Sequence, residues 1–278
     1  MSSSVSMSDF DFKKHIWKPF NRGISIYDLI HPGDRIAVCI SGGKDSMLLA
    51  KCVQQLQSYG KHGFNAIFLA MDPGYTDTVR EKILKNCTSM KIPVEMHKTK
   101  IFDSAGNSDK NPCFLCSRLR RGWLYKKASE LGCNKIALGH HFDDVIETIL
   151  MGMLYGSQMQ TMLPKLHSEN YFGMELIRPL YLVREENIIR WQQESGLDFS
   201  HCACSLTENI GQSSKRLEIK NLLRHLRKNN PAVDMNIFRS AENVNLRKLI
   251  SYHDGDKYHS FLDDYNEGIS VKGTKNIC

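Results

Sequence analysis

The residues best suited to chemistry lie between Ser41 and Ser46, where the chain reads SGGKDS after an apolar run and before a helix-forming run. The two glycines let backbone N–H groups turn inward, and the N-terminus of the following helix adds partial positive charge. Lys44 supplies a mobile cation, the serine hydroxyls can donate hydrogen bonds, and Asp45 suits phosphate only if a divalent cation lies between them. The spacing matches neither a Walker loop nor a dinucleotide-binding glycine motif. The segment therefore predicts a nucleotide site.

A second polar segment, GHHFDDVIET, starts at Gly139 and follows another predicted strand. Its Asp143 and Asp144 stand at a helix N-terminus, where carboxylates ordinarily cap free N–H groups. Because the SGGKDS segment, Asp72 and Gly139 each follow a strand, they fall on one edge of a parallel sheet. That placement predicts a second role for the aspartates, which is to hold Mg²⁺ against a pyrophosphate group. The two histidines are interpreted as stacking or hydrogen-bonding groups.

The nine cysteines include a Cys-x-x-Cys pair, Cys113 and Cys116, and a Cys-x-Cys pair, Cys202 and Cys204. Thiolates two residues apart in a turn can bind one metal, although a lone pair is also consistent with buried thiols or a redox pair. Four cysteines would close a structural zinc site, whereas three would leave an iron–sulfur cluster with one iron lacking a protein ligand. Spacing alone does not separate zinc from iron. Four other cysteines are expected to be small core residues: Cys39, Cys52, Cys87 and Cys133.

Two segments are strongly basic. Residues 117–127 contain five Lys or Arg and no acid, and residues 215–248 contain nine basic and three acidic residues. Such runs are usually solvated helix faces. Here one adjoins the Cys-x-x-Cys pair and the other follows the Cys-x-Cys pair, which favours a phosphate backbone that approaches the metal. The formal net charge of +7 agrees with a polyanionic partner.

Buried strands alternate with helices over much of the 278 residues, which predicts an α/β fold with a doubly wound parallel sheet. The predicted strands cover residues 35–40, 65–71, 94–102, 135–138 and 175–180. The predicted helices cover residues 47–59, 78–90, 117–131, 142–155, 185–195, 215–229 and 236–252, with one or two more within 9–30. The expected divisions are an N-terminal helical arm (1–30), an ATP-binding and catalytic domain (31–200), a C-terminal helical extension (201–256) and a flexible tail (257–278). No apolar run approaches the length of a membrane span and no export signal is found, so a cytoplasmic protein without membrane contact is expected.

With these motifs together, the chain resembles the PP-loop ATP pyrophosphatases, and among them the tRNA 2-thiocytidine synthases. The resemblance spans residues 28–212 and rests on SGGKDS at 41–46, PCFLCSRLRRGWLY at 112–125, KIALGHHFDD at 135–144, MLYGSQMQTMLPKL at 153–166 and IRPLYLVRE at 177–185. It implies an enzyme that uses ATP, Mg²⁺ and a [4Fe–4S] cluster to replace the C2 oxygen of a tRNA cytidine, position 32, with sulfur.

The resemblance also implies roles for particular residues. Lys44, Asp45, Cys113 and Cys116 would act in catalysis, and Asp45 would hold Mg²⁺. The cluster ligands would be Cys113, Cys116 and Cys204, with Cys202 as a substitute third ligand because the family has Cys-x-x-Cys where this chain has Cys-x-Cys. The residues assigned to the nucleotide are Ser41, Gly42, Gly43, Lys44, Asp45, Ser46, Met71, Asp72, Gly139, Asp143 and Asp144.

Three other functions are consistent with parts of this pattern. A tRNA 2-thiouridine thiolase shares the loop and the cysteines, but such relatives often carry additional zinc fingers, for which this chain lacks the cysteines. A lysidine-type ligase needs no cluster, and a zinc-stabilised, non-catalytic RNA-binding module has little use for carboxylates beside phosphate. The expected partners are tRNA, a sulfur donor such as a cysteine desulfurase and, in a homodimer, a second copy of the chain. The sequence does not identify the donor, the exact RNA or the oligomeric state.

Overall fold

The computed structural model describes residues 11–60, 62–106, 112–199 and 215–266. Its main sheet contains six strands: β1 (Arg35–Ile40), β2 (Asn65–Asp72), β3 (Val94–Lys98), β4 (Lys135–Ala137), β5 (Lys165–His167) and β6 (Glu175–Ile177). The helices before residue 200 are α1 (Lys18–Ile26, preceded by a π-helical segment at Lys13–Trp17), α2 (Lys44–Ser58), α3 (Asp77–Ser89), α4 (Ile101–Gly106), α5 (Pro112–Glu130), α6 (Phe142–Gly156) and α7 (Glu185–Ser195). In the part of the chain that is described, no helix combines the length and the hydropathy that a membrane span requires.

The central strand β1 is buried on both faces, which explains its continuous apolar sequence. Ile36, Val38 and Ile40 point into a core shared with α1 and α2, whereas Ala37 and Cys39 point into a second core with α5. Because successive side chains of a strand alternate between faces, one apolar strand serves both helical layers. The predicted α/β fold with a doubly wound sheet is therefore confirmed.

The strand order β3-β2-β1-β4-β6-β5 places β1, the first strand of the chain, near the centre of the sheet. The strands are parallel except β5, which pairs antiparallel with β6. The chain runs outward from β1 to β3 and then returns to place β4 on the other side of β1. The loops after β1 and β4 therefore diverge at the point where strand order reverses, which is where ligands bind in open α/β sheets.

The C-terminal helices α8 (Lys215–Asn229) and α9 (Val233–Ser240) pack on α6. Ile219 and Leu223 of α8 are buried in a cluster with Phe142 and Ile146 of α6, and Phe142 stacks on Phe238 of α9 with 4.9 Å between ring centroids. The C-terminal segment thus covers the helix that carries the two aspartates of the second motif.

Several predicted elements are wrong in extent, among them the strand predicted at 175–180, which ends at Ile177, and the helix predicted at 117–131, which begins at Pro112. The strand predicted at 94–102 ends at Lys98, because Ile101 and Phe102 turn away as α4 and pack beside Met71 and the loop after β2. The helix predicted at 236–252 ends at Ser240 and is followed by a 3₁₀ turn and a β-hairpin.

Part of the predicted flexible tail is also ordered. The hairpin pairs β7 (Ser251–Asp254) with β8 (Lys257–Ser260), and α10 (Phe261–Asn266) follows. The two-residue loop Gly255-Asp256 closes the hairpin, and Gly255 has a φ of +59°, which suits glycine at the first position of such a turn. The domain boundaries predicted from the sequence stay predictions.

Candidate active site

The SGGKDS loop is closed by hydrogen bonds to one buried hydroxyl. Ser46 Oγ accepts from the backbone N–H of Ser41 and from Ser41 Oγ, both at 3.1 Å, and donates to the carbonyl of Gly43 at 2.9 Å. Ser46 therefore shapes the loop from within, in addition to lining the cavity beside it. The loop ends at the N-terminus of α2, a 15-residue helix whose free N–H groups favour an anion.

Two glycines allow close contacts around this loop. Gly42 has a φ of +85°, and a Cβ there would lie 2.5 Å from Cγ1 of Ile83 on α3. Gly139, in the loop after β4, lies so near the backbone of Asp45 and Ser46 that its Cβ would approach them to 3.0 Å. Both positions therefore need a residue without a side chain. The close approach of Gly139 also shows that the two motifs are in direct backbone contact.

A cavity of about 480 Å³ opens between these loops and α5. Its walls combine the SGGKDS loop, the end of β2, the loop after β4 and the inner face of α5: Ser41, Gly43, Asp45, Ser46, Met71, Gly139, His140, Asp144, Cys116, Arg120 and Arg121. Cys39 also lines it, and burial raises the pKa of its thiol to about 12, so this cysteine is protonated at neutral pH. The sequence motifs that were separated by up to about a hundred residues thus face one space.

Lys44 is charged and held at the mouth of the loop. Its amino group donates to both carboxylate oxygens of Asp45, at 2.9 and 3.1 Å, and to Oε1 of Glu185 at 3.3 Å. Burial alone would lower the pKa of Lys44, but these carboxylates raise it above the usual value. A cation is therefore ready beside the helix N-terminus where phosphate would bind.

The two aspartates of the second motif have different surroundings. Asp144 lines the cavity, and its Oδ2 accepts from the backbone N–H of His141 at 3.1 Å. Asp143 is buried outside the cavity lining; its oxygens accept from the backbone N–H of Glu185 at 2.7 Å and from Arg227 at 2.6 Å. Asp143 therefore ties α6 to α7 and α8, which indicates a structural role where a nucleotide or metal contact was predicted.

Asp72 also has its hydrogen bonds satisfied by its surroundings. Oδ1 accepts from the backbone N–H groups of Gly74 and Tyr75, at 2.9 and 2.6 Å, and Oδ2 accepts from Arg80 Nε at 2.7 Å. Its predecessor Met71 lines the cavity, whereas Asp72 does not. The geometry favours a role in shaping the loop after β2.

Of the four aspartates assigned to the nucleotide from the sequence, Asp45 and Asp144 are the two that line the cavity. Nε2 of His141 lies 3.7 Å from Asp45 Oδ1 and 3.5 Å from Asp144 Oδ2, so the three side chains converge. Oxygen ligands of this kind suit Mg²⁺. The neighbouring His140 is neutral at physiological pH, since burial lowers its pKa to about 4; Asp144 opposes this effect while Arg178 and Arg216 add to it.

The Cys-x-x-Cys pair lies in a helix, not in the turn that was expected. Cys113 and Cys116 belong to the start of α5, and residues three apart share one helix face. Cys116 is buried and lines the cavity beside Arg120. The side chain of Cys113 and all of Cys202 and Cys204 lie outside the described residues. Among the side chains that are described, no three His, Cys, Asp or Glu are arranged to hold a metal, so Asp45 and Asp144 would supply two of the ligands of a Mg²⁺ ion. The Mg²⁺ ligands and the cluster ligands stay predictions.

Sequence reasoning missed Glu185, and it interpreted the basic residues of 215–248 as contacts for a phosphate backbone, whereas several of them pair with acidic residues of this chain. Glu185 of α7 contacts Lys44, and Arg216 and Lys220 of α8 contact Glu147 of α6. A signal was present: positions 216, 220 and 227 fall at helical spacing with the apolar Ile219 and Leu223, so these cations face the protein.

Comparisons with known proteins identify the family of the chain. A model described as a PP-loop domain matches residues 11–226. The chain belongs to the PP-loop family. Within it, a tRNA-cytidine(32) 2-sulfurtransferase from Coxiella burnetii is 34% identical over 253 residues, covering 88% of this chain and 96% of the relative. Another, from Polaromonas naphthalenivorans, is 32% identical over 276 residues, covering 97% and 84%. The resemblance to the cytidine branch is thereby confirmed.

A solved structure shares the fold at lower identity. It is a U34-tRNA thiolase from Methanococcus maripaludis with its [4Fe–4S] cluster, 22% identical with a TM-score of 0.66, and the match covers 83% of this chain and 79% of that one. At this identity the likeness shows the fold alone.

Proposed function

We propose that the protein is an ATP-dependent tRNA sulfurtransferase that converts a cytidine of tRNA to 2-thiocytidine. By analogy with its relatives, this cytidine is the one at position 32. The observation that carries the proposal is a shared cavity, because the nucleotide loop and Cys116 of the Cys-x-x-Cys helix line the same space. Thiolation at a pyrimidine C2 needs an activated oxygen and a sulfur source at one carbon, and this arrangement brings both functions together.

The residues of the loop fit a nucleotide. The space beside Gly43 and the N-terminus of α2 would accept phosphate, and Lys44 would neutralise charge that builds on the departing pyrophosphate. Asp45 and Asp144 would hold Mg²⁺, which supplies further charge neutralisation when bound. The C2 oxygen attacks the α phosphorus, the bond to pyrophosphate breaks, and the oxygen becomes part of an AMP leaving group.

The cysteines of α5 fit a metal centre. Cys113 and Cys116 share a helix face, Cys116 faces the cavity, and Cys204 or Cys202 would be the third ligand. Together these three cysteines would hold a [4Fe–4S] cluster, which when bound would supply the sulfur chemistry for the exchange at C2, where the bond to the adenylated oxygen breaks and AMP leaves. Arg120 and Arg121 of α5 line the cavity and would receive RNA phosphates. The sulfur donor and a homodimer stay predictions.

The test is an anaerobic purification with iron, sulfide and zinc analysis, followed by incubation with ATP, Mg²⁺, sulfide and tRNA that lacks thiolation. Mass spectrometry of the digested nucleosides should give 2-thiocytidine, and about four irons should be found per chain. Cys116→Ser should lose iron and product, whereas the matched variant Cys87→Ala, in α3 and outside the cavity lining, should keep both. One zinc without iron, or 2-thiouridine as the product, would refute the proposal.

A further inference from the structure

The amino group of Lys44 lies between two carboxylates that belong to different elements. Asp45 is its neighbour in the loop, whereas Glu185 is the first residue of α7 and reaches Lys44 Nζ at 3.3 Å. Both side chains are about a quarter to a third exposed, so the contact is open to competition from a ligand. Phosphate oxygens arriving at the loop would compete for the same amino group.

Glu185 is shared with a second lysine. Lys220 Nζ of α8 lies 3.3 and 3.1 Å from the two oxygens of Glu185, and 3.6 Å from Glu147 Oε1. Glu147 is almost fully buried and also accepts from Arg216 Nε at 2.9 Å. The carboxylate of Glu185 is therefore clamped from α8 by a cation that does not line the cavity.

The contacts around Glu185 favour the charged forms of its carboxylate and of Lys220, whereas burial raises the pKa of Glu147. Burial would raise the pKa of Glu185, but Lys220, His141 and Lys44 together lower it. The pKa of Lys220 is raised by Glu147 and Glu185 against the opposite effect of burial. The contact between Glu185 and Lys220 is thus an ion pair and not a neutral hydrogen bond.

We propose that Glu185 is a positioning residue for Lys44, and that Lys220 of the C-terminal helix holds Glu185 in place. Glu185 keeps the amino group of Lys44 beside the loop before ATP binds and gives it up to the phosphates, while Lys220 retains Glu185. The inference rests on the proposed function, since it takes ATP as the ligand of the loop.

Two opposite effects on ATP affinity follow. Glu185→Gln removes the anion that competes for Lys44, so ATP should bind about fivefold more tightly, the size expected for a partly exposed ion pair. The same variant leaves Lys44 less well oriented, so pyrophosphate release in a single turnover should be slower. Lys220→Met leaves Glu185 to Lys44 alone, so ATP should bind about fivefold more weakly. AMP lacks the β and γ phosphates, and its affinity should not change.

The experiment is equilibrium binding of MgATP and of MgAMP to the purified holoprotein without tRNA. Glu186→Gln removes a neighbouring exposed charge of α7 and is the matched control, while Lys220→Arg keeps the charge and should restore wild-type affinity. In the double variant Glu185→Gln/Lys220→Met, the effect of Lys220→Met should disappear, because its partner is gone.

The outcomes separate this inference from the proposed function. Additive effects in the double variant, equal changes for ATP and AMP, or an effect of Glu186→Gln as large as that of Glu185→Gln would overturn the positioning role. If the wild-type protein binds ATP and forms 2-thiocytidine but Glu185→Gln leaves ATP affinity unchanged, only the inference fails. If the wild-type protein binds no ATP, both the proposed function and the inference about Glu185 fail.

Discussion

Replacing Gly42 with alanine is expected to distort the nucleotide loop, and the cost has two separable parts. The φ of +85° is a left-handed backbone conformation, which disfavours a residue with a Cβ by about 1–2 kcal/mol. The new Cβ would also lie 2.5 and 2.7 Å from Cγ1 and Cδ1 of Ile83, and overpacking of a buried side chain costs about 1–3 kcal/mol. Gly42→Ala should therefore lower the free energy of unfolding by about 2–5 kcal/mol.

The matched control is Gly33→Ala. Gly33 has a φ of +86°, almost the same as Gly42, but a Cβ there would meet nothing within 4 Å. Urea unfolding of Gly33→Ala thus measures the backbone term alone, and the difference between the two variants measures the contact with Ile83. ATP binding provides a second readout, since a loop that moves to relieve the contact should lose affinity while the control keeps it.

A double variant tests the cause directly. In an Ile83→Ala background the steric part should disappear, so Gly42→Ala should cost no more than Gly33→Ala does in the wild-type protein. Equal destabilisation by Gly42→Ala and Gly33→Ala, with ATP affinity unchanged in both, would refute the argument that the loop is packed against α3.

Three further predictions follow from the site. Lys44→Ala should abolish ATP-dependent thiolation but leave the iron content unchanged, and retained thiolation would exclude the assigned role. Reversing the charges of Arg120 and Arg121 should weaken tRNA binding and reduce the slope of log affinity against log salt concentration by about 2. Filter binding at several salt concentrations measures this slope, and an unchanged slope would show that the two arginines are solvated and do not contact RNA. Burial would raise the pKa of Asp72, but backbone N–H groups and Arg80 lower it overall. The ionised carboxylate of Asp72 therefore stabilises the folded protein above about pH 4, and this stabilisation is lost as the pH falls through the folded-state pKa. Asp72→Asn should flatten the acid limb of stability against pH, and an unchanged limb would contradict this.

Much of the fold follows from local sequence. The apolar run of β1, the glycine turn and the start of α2 are contiguous, and the continuous apolar run is what a strand buried on both faces requires. The ends of elements were less predictable, because the conformation of Ile101 and Phe102 depends on packing beside Met71 and not on their own preference for a strand.

The sequence by itself determined the family, the nucleotide loop and the set of candidate carboxylates and cysteines, because those motifs are short and their chemistry depends on neighbouring residues. Only the tertiary structure decided which carboxylates face the cavity. Asp45 and Asp144 do, whereas Asp72 and Asp143 are satisfied by guanidinium and backbone groups that the fold brings to them, in the case of Asp143 from Arg227, 84 residues away. A carboxylate's role depends on which donors surround it, and donors from distant segments meet it only when the chain is folded.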